Sequence, residues 1–196
     1  MSDNGIIVII SGPSGVGKTS VRNAVLAADA NTCFSVSVTT RKPRNNEVHG
    51  KDYFFISEEE FEQRKAENAF LESARVYDHS YGTLTAQVDA CLSAGKNVIL
   101  DIDTKGAAQI RALKRKDLIS IFIFPPSAEE LRRRIIDRHT EQGDALKQRI
   151  ALAEAEMAVA GLYDYRVVND DVPGCANRIL EIIREGRIRI NQGQDQ

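Results

Sequence analysis

Gly12-Pro13-Ser14-Gly15-Val16-Gly17-Lys18-Thr19 is the stretch from which the fold can be read. It matches G-x-x-x-x-G-K-[ST], the P-loop pattern. In such a loop, glycines let successive backbone N–H groups turn inward around a phosphate, and the helix that follows adds the positive end of its dipole. Lys18 is then placed to neutralise β/γ-phosphate oxygens and the Thr19 hydroxyl to coordinate magnesium. The flanks agree with this. Gly5-Ile6-Ile7-Val8-Ile9-Ile10 is continuously apolar and β-branched, as a strand buried on both faces should be, and a helical pattern runs from about Lys18 to Ala28. The motif alone does not separate a kinase from a GTPase or an ATPase.

Working outward, Val98-Ile99-Leu100 ending at Asp101, Leu118 to Phe124 stopped by Pro125-Pro126, and Arg166-Val167-Val168 before Asn169 read as further buried strands. Helical patterns lie near Thr85–Ala94, Gly106–Leu113, Ala128–Arg138, Asp144–Ala160 and Gly174–Arg189. Strands alternating with helices predict an α/β fold, a parallel-sheet P-loop core with right-handed crossovers whose ligands gather at the carboxyl ends of the strands. Two segments break the alternation. Ser35 to Thr83 is polar and turn-rich, with short alternating pieces and one helical piece, Glu58–Asn68, and reads as an inserted small α+β module. Arg132 to Gln148 is unusually charged for a core crossover and reads as a helical lid. The expected division is core 1–34, inserted module 35–84, core 85–126, lid region 127–160, and core with a C-terminal helix 161–196. The amphipathic stretch Ile179–Ile190 suits either an inward face or a partner, so a homo-oligomer stays open. The polar end from Asn191 to Gln196 reads as a disordered tail.

Bulk properties narrow the class. The 196 residues, 42% hydrophobic and 28% charged, suit one globular unit. A formal net charge of −2 gives no global pull toward nucleic acid or anionic membrane, so any anion must be held by a local basic cluster. Cys33, Cys91 and Cys175 form no C-x-x-C pair or zinc spacing and read as reduced thiols. The start has no basic signal-peptide region, and the run Ile6 to Ile10 is too short to cross a bilayer, which predicts a cytoplasmic protein.

Two further constellations carry chemistry. Asp101 closes an apolar strand, the usual place for a magnesium-side carboxylate, direct or through water. Asp103, two residues on, faces the same way if the extended conformation persists, so one acid can serve metal and the other substrate. In Ser37-Val38-Thr39-Thr40-Arg41-Lys42-Pro43-Arg44, two arginine forks beside a proline suit bidentate recognition of a phosphate dianion.

The pattern S-V-S-x-T-T-R-x-P-R-x-x-E-x-x-G-x-D-Y-x-F from Ser35 to Phe55 resembles the guanylate kinase family. So do Phe70-Leu71-Glu72, Tyr81-Gly82-Thr83, Val98 to Asp103 and Val168 to Asp171, and the resemblance spans essentially the whole chain. It implies a magnesium-dependent nucleoside monophosphate kinase that moves the γ-phosphoryl group of ATP onto GMP, and dGMP as well. ATP would lie on Gly12, Pro13, Ser14, Gly15, Val16, Gly17, Lys18, Thr19 and Ser20, with Asn169 on the adenine side. Arg41, Arg44, Tyr53 and Tyr81 would hold the GMP phosphate, and Ser37, Glu72, Thr83 and Asp103 would read guanine. Arg134, Arg138 and Arg149 would be lid and catalytic arginines beside Lys18 and Arg41.

Physics supports the base choice independently. Guanine offers donors at N1 and N2 and an acceptor at O6, which two carboxylates and a hydroxyl from Ser37 or Thr83 complement. Adenine would present a lone pair to a carboxylate, a mismatch that can give roughly 10⁴–10⁵-fold rejection. The attacking phosphate is already ionised at neutral pH, so no general base is required. Three departures from the family pattern stand out: Lys105 in place of glutamine, His139 in place of glycine after Arg138, and Asn46 where glycine is common, a change eased by asparagine's tolerance of left-handed geometry. Rival readings are a ribose bisphosphate kinase-like enzyme and a catalytically silent guanylate-kinase-like module that binds phosphorylated peptides.

Overall fold

In the computed structural model, β1 (Ile7–Ser11) is the central strand of a five-stranded, all-parallel sheet. Residues 4–76, 78–137 and 144–193 are described, without side chains for 144–149. The other strands of this sheet are β2 (Thr32–Phe34), β7 (Asn97–Asp101), β8 (Leu118–Phe124) and β9 (Tyr165–Val168), in the order β2-β7-β1-β8-β9. Helices cover both faces: α1 (Lys18–Ala28) and α7 (Val172–Gly193) on one, α3 (Thr85–Ser93) and α4 (Thr104–Ala112) on the other. The period of two in β1 divides its side chains between two cores. Ile6, Val8 and Ile10 pack with Val21, Val25, Ile179 and Ile183, whereas Ile7 and Ile9 pack with Val88, Ala107 and Ile110. A strand buried this way must be apolar throughout, which is why its sequence shows no alternation.

Four more strands form a second, mixed sheet in the order β4-β3-β6-β5: β3 (Val38–Thr39), β4 (Phe54–Phe55), β5 (Phe70–Val76) and β6 (His79–Leu84). β3 runs parallel to β4 and antiparallel to β6. Beside it, α2 (Glu58–Ala66) starts at Ser57, whose hydroxyl accepts from Glu60 N at 3.1 Å. Its Phe61 stacks on Phe70 with ring centroids 4.6 Å apart. The inserted α+β unit expected within 35–84 therefore has its own sheet. α5 (Ala128–Asp137) and α6 (Asp144–Ala158) follow β8 and share a small cluster of Leu131, Ile135 and Ala153. Arg138 and His139 lie outside the described residues, and the Arg149 side chain does too.

The structure adds to the sequence reading at three places. α7 runs on to Gly193, so residues 191–193 extend the helix instead of starting a disordered tail. Of the stretch left open between an inward face and a partner, Ile179, Leu180, Ile182 and Ile183 are buried against the sheet, whereas Ile188 is exposed. Cys33 and Cys91 are brought side by side with Cα atoms 6.6 Å apart, while Cys175 is buried apart from them. The 58-residue separation hides this proximity, because only the packing of β2 and α3 on one core face brings the two together. Edge strand β2 is an element the pattern did not announce, since three residues are too few to show a period. No helix among the described residues is long and apolar enough to cross a membrane.

Candidate active site

The loop between β1 and α1 wraps the end of the central strand. Gly15 and Gly17 take φ of 92° and 97°, a region that strains any residue with a Cβ. At Gly17 a Cβ would also lie 2.6 Å from the Asn169 side-chain amide. That amide donates to Val16 O at 2.7 Å, and the Asn169 backbone N–H donates to Phe124 O at 2.8 Å, so Asn169 ties the loop to the end of β8. Arg134, held by Glu130 at 2.7 Å, reaches Val16 O at 3.3 Å and Asn169 O at 3.5 Å. A shallow cleft on this side is lined by Gly15, Gly17, Ser20, Arg134, Asn169 and Asp170.

On the opposite side of the loop lies a cleft of about 220 Å³. Ser14, Lys18 and Asp101 line one end, and Ser37, Tyr53, Glu72, Tyr81 and Asp103 line the rest. Parallel pairing of β1 with β7 sets Ile10 opposite Asp101, which delivers that carboxylate to the P-loop. Burial raises the Asp101 carboxyl above its usual range, opposed by the charges of Lys18 and Arg22. Arg22 approaches it at 3.4 Å, itself 8% exposed and lying 3.9 Å over the Phe34 ring. Thr19 sits exposed in the first turn of α1. A hydroxyl and a carboxylate are hard oxygen donors of the kind magnesium takes beside phosphate oxygens and water, so this pair fits the implied ion.

The two acids expected to meet the base converge from the second sheet and from the start of α4. Glu72 and Thr83 are register partners on β5 and β6, and the Thr83 hydroxyl donates to Glu72 Oε1 at 2.7 Å. The Asp103 carboxylate caps α4 by accepting from Gly106 N at 2.8 Å. Gln109 on α4 pairs with both Ser73 N (3.3 Å) and Ser73 O (2.8 Å), which docks the helix on the β5 edge and sets Asp103 near Glu72. A Cβ at Gly106 would overlap the Glu72 carboxylate. Burial, with Asp103's negative charge adding to it, raises Glu72 to about 7. The same burial and the Asp101 charge push the Tyr53 hydroxyl up to about 12.

Arg41 forms a bidentate pair with Glu47 at 2.9 and 3.0 Å and lies 5.5 Å from the Tyr53 ring centroid. Burial works against its charge, but Glu47 and Tyr81 hold its pKa above the usual value. Arg44 is exposed and gives its backbone N–H to Glu47 at 2.7 Å. Asn46 adopts φ of 72°, the geometry expected where a glycine is common.

The two clefts gather most of the expected residues; Gly12, Pro13, Val16 and Thr19 line neither, and the acceptor side differs in two further ways. Thr83 is 1% exposed and its hydroxyl proton is already committed to Glu72, so Ser37 is the hydroxyl facing the cleft. Arg41 and Arg44 stand beside the cleft and do not line it. Sequence patterns missed Arg22, Gln87, Gln109 and Glu156. Gln87 on α3 pairs with Val36 N and O at 3.0 and 3.1 Å where the chain enters the second sheet. Glu156 accepts from Ser14 N at 3.2 Å. The one signal for Arg22 was its position one helical turn after Lys18; Gln87, Gln109 and Glu156 had none.

A parallel sheet with a P-loop at its central strand, a strand-end acid beside that loop, and an acid-lined cleft on a second sheet define a P-loop phosphotransferase. The guanylate kinase family model matches residues 4–186. The chain is 45% identical over 180 residues to the guanylate kinase of Bacteroides fragilis, covering 91% of this chain and 88% of the relative. It is 45% identical over 193 residues to that of Clostridium tetani, covering 98% and 92%. Guanylate kinase from Anaplasma phagocytophilum superposes with a TM-score of 0.79 at 34% identity, covering 94% of this chain and 87% of that one. This chain belongs to the guanylate kinase family.

Proposed function

We propose that this protein transfers the γ-phosphoryl group of ATP to GMP, and to dGMP, giving ADP and GDP in a magnesium-dependent reaction. One observation carries the reading. Glu72 and Asp103 face the same cleft that ends at Lys18 and the P-loop, so a base read by two acceptors would have its phosphate aimed at the donor. Residues 35–84 act as the GMP-binding module, and 127–160 as the region that covers the donor. The setting is the cytoplasm.

The chemistry needs positioning and charge neutralisation and no proton acceptor. Residues 12–20 hold the ATP phosphates, with Lys18 on the β/γ oxygens. Arg134 and Asn169 border the adenine side. Arg41 and Arg44, with the Tyr53 and Tyr81 hydroxyls, orient the acceptor phosphate in line. Glu47 keeps Arg41 folded back until that phosphate competes for it. Glu72 and Asp103 accept from guanine N1 and N2, and Ser37 donates to O6. Thr83 fixes the Glu72 rotamer. Thr19 and Asp101, directly or through water, would hold magnesium, which would supply charge neutralisation on the phosphates when bound. Arg149 and Arg138, by the family resemblance, add positive charge for the transferring group.

A coupled ADP-release assay with GMP, dGMP, AMP and no acceptor tests the reading. Turnover is expected with GMP and dGMP and background with the other two. Equal turnover with AMP would overturn the base assignment, and no GDP in the presence of Mg²⁺ and both nucleotides would overturn the activity.

A further inference from the structure

The P-loop is already engaged by groups of the protein itself. Lys18 Nζ donates to Gly12 O at 2.5 Å and to Pro13 O at 3.4 Å, so the cation is folded onto the loop's own carbonyls. The Ser14 amide, one of the N–H groups that phosphate would satisfy, donates to Glu156 Oε2. Glu156 comes from α6, 142 residues away, and lines the acceptor-side cleft with Lys18, Asp101 and Asp103. Its neighbours in charge are Lys18 and Lys105 on one side of the balance and Asp103 on the other. A carboxylate resembles a phosphate edge: it is anionic, carries two acceptor oxygens and pairs with backbone N–H groups.

We propose that Glu156 is an internal phosphate mimic that occupies the γ-phosphate seat on Ser14 and must be displaced before ATP binds fully. The inference rests on the donor role given above to the P-loop. The position along the loop identifies the γ end. The Gly15–Gly17 side faces the cleft bordered by Arg134 and Asn169, whereas Ser14 faces the acceptor cleft, across which the transferring group must pass. A γ-phosphate there would meet a like charge on Glu156 and compete for the same amide, and expelling the side chain would untie α6 from the loop. Arg149 lies on the same helix, two turns before Glu156. ADP lacks the group that collides, so Glu156 discriminates between donor and product at the P-loop.

The test is calorimetric binding of an unhydrolysable ATP analogue and of ADP, both with Mg²⁺, to wild type, Glu156→Gln and Glu156→Ala. Removing the charge should tighten the ATP analogue on the order of tenfold, the scale of one charge-assisted hydrogen bond, and change ADP by less than about twofold. Glu156→Asp keeps the charge on a stem too short to reach Ser14 and guards against a folding failure. It should also tighten the analogue selectively. Unchanged or weaker analogue binding in folded variants, or equal gains for ADP, would overturn the proposal. A wild type that binds neither nucleotide would instead overturn the donor reading beneath it.

Discussion

At the scale of single residues, the site depends on a carboxyl whose burial works against its ionisation. Glu72 is raised to about 7, while guanine's N1–H and N2–H need an ionised acceptor. The sign follows: GMP affinity should be full above pH 7 and fall as pH drops through that value, because protonation turns an acceptor into a donor. A phosphomonoester also titrates near pH 6. The contribution of Glu72 is therefore the part of the pH dependence that Glu72→Gln removes. In GMP binding measured from pH 8 to 5.5, the variant should show a shallower fall than wild type. At pH 8 it should bind GMP roughly ten- to a hundredfold more weakly, the cost of one mispaired buried donor, with ATP-analogue binding unchanged. Parallel pH curves for the two proteins would exclude Glu72 from base recognition. The candidate residues themselves were named by the resemblance to the guanylate kinase family, and guanine's donor pattern is compatible with that set. Their mutual commitments were not. Thr83 holding Glu72, and Glu47 holding Arg41, are contacts set by register and turn geometry.

At the scale of elements, α4 connects the two sheets. Its first turn is capped by Asp103, and Gln109 fastens it to β5. Gly106 leaves room for Glu72 to reach the cleft between them, and a Cβ there would also sit 3.3 Å from Asp103 Oδ1. Gly106→Ala should therefore separate stability from function. Alanine is favoured over glycine in a helix by about 1 kcal/mol, and the displaced group is the end of a side chain, so the melting temperature should hold or rise slightly. KM for GMP should climb on the order of tenfold or more while ADP binding stays the same. A lowered melting temperature with unchanged KM would show that Gly106 serves packing alone. Helices α1 and α4 were readable from their apolar period, but the glycine's purpose was not. A glycine in a helical pattern signals only that something is close, and here the close group comes from a strand more than 30 residues earlier.

For the whole molecule, the P-loop lies on the parallel sheet and the acids proposed to read the base lie on the second sheet and at the start of α4, joined through the chain segments near Val36 and Gln87. Transfer without hydrolysis requires that the two halves approach and water leave. The radius of gyration from solution scattering should thus contract when GMP and an unhydrolysable ATP analogue are added together, and change less with either alone. Dimensions unaltered by the pair would argue against closure. Local sequence pattern carried the parallel P-loop core and the inserted sheet, and the family resemblance supplied the residues proposed for the two nucleotides. Those properties reside in local pattern: β-branched runs, a glycine-rich turn before a helix, arginine and carboxylate types at recognisable spacing. Tertiary structure alone decided that Glu156 reaches Ser14, that Arg22 faces Asp101, that Cys33 meets Cys91 and that α7 buries Ile179 and Ile183 against the sheet. Each depends on which elements lie side by side. That is set by burial summed over the whole chain and leaves no trace in the spacing of any one segment.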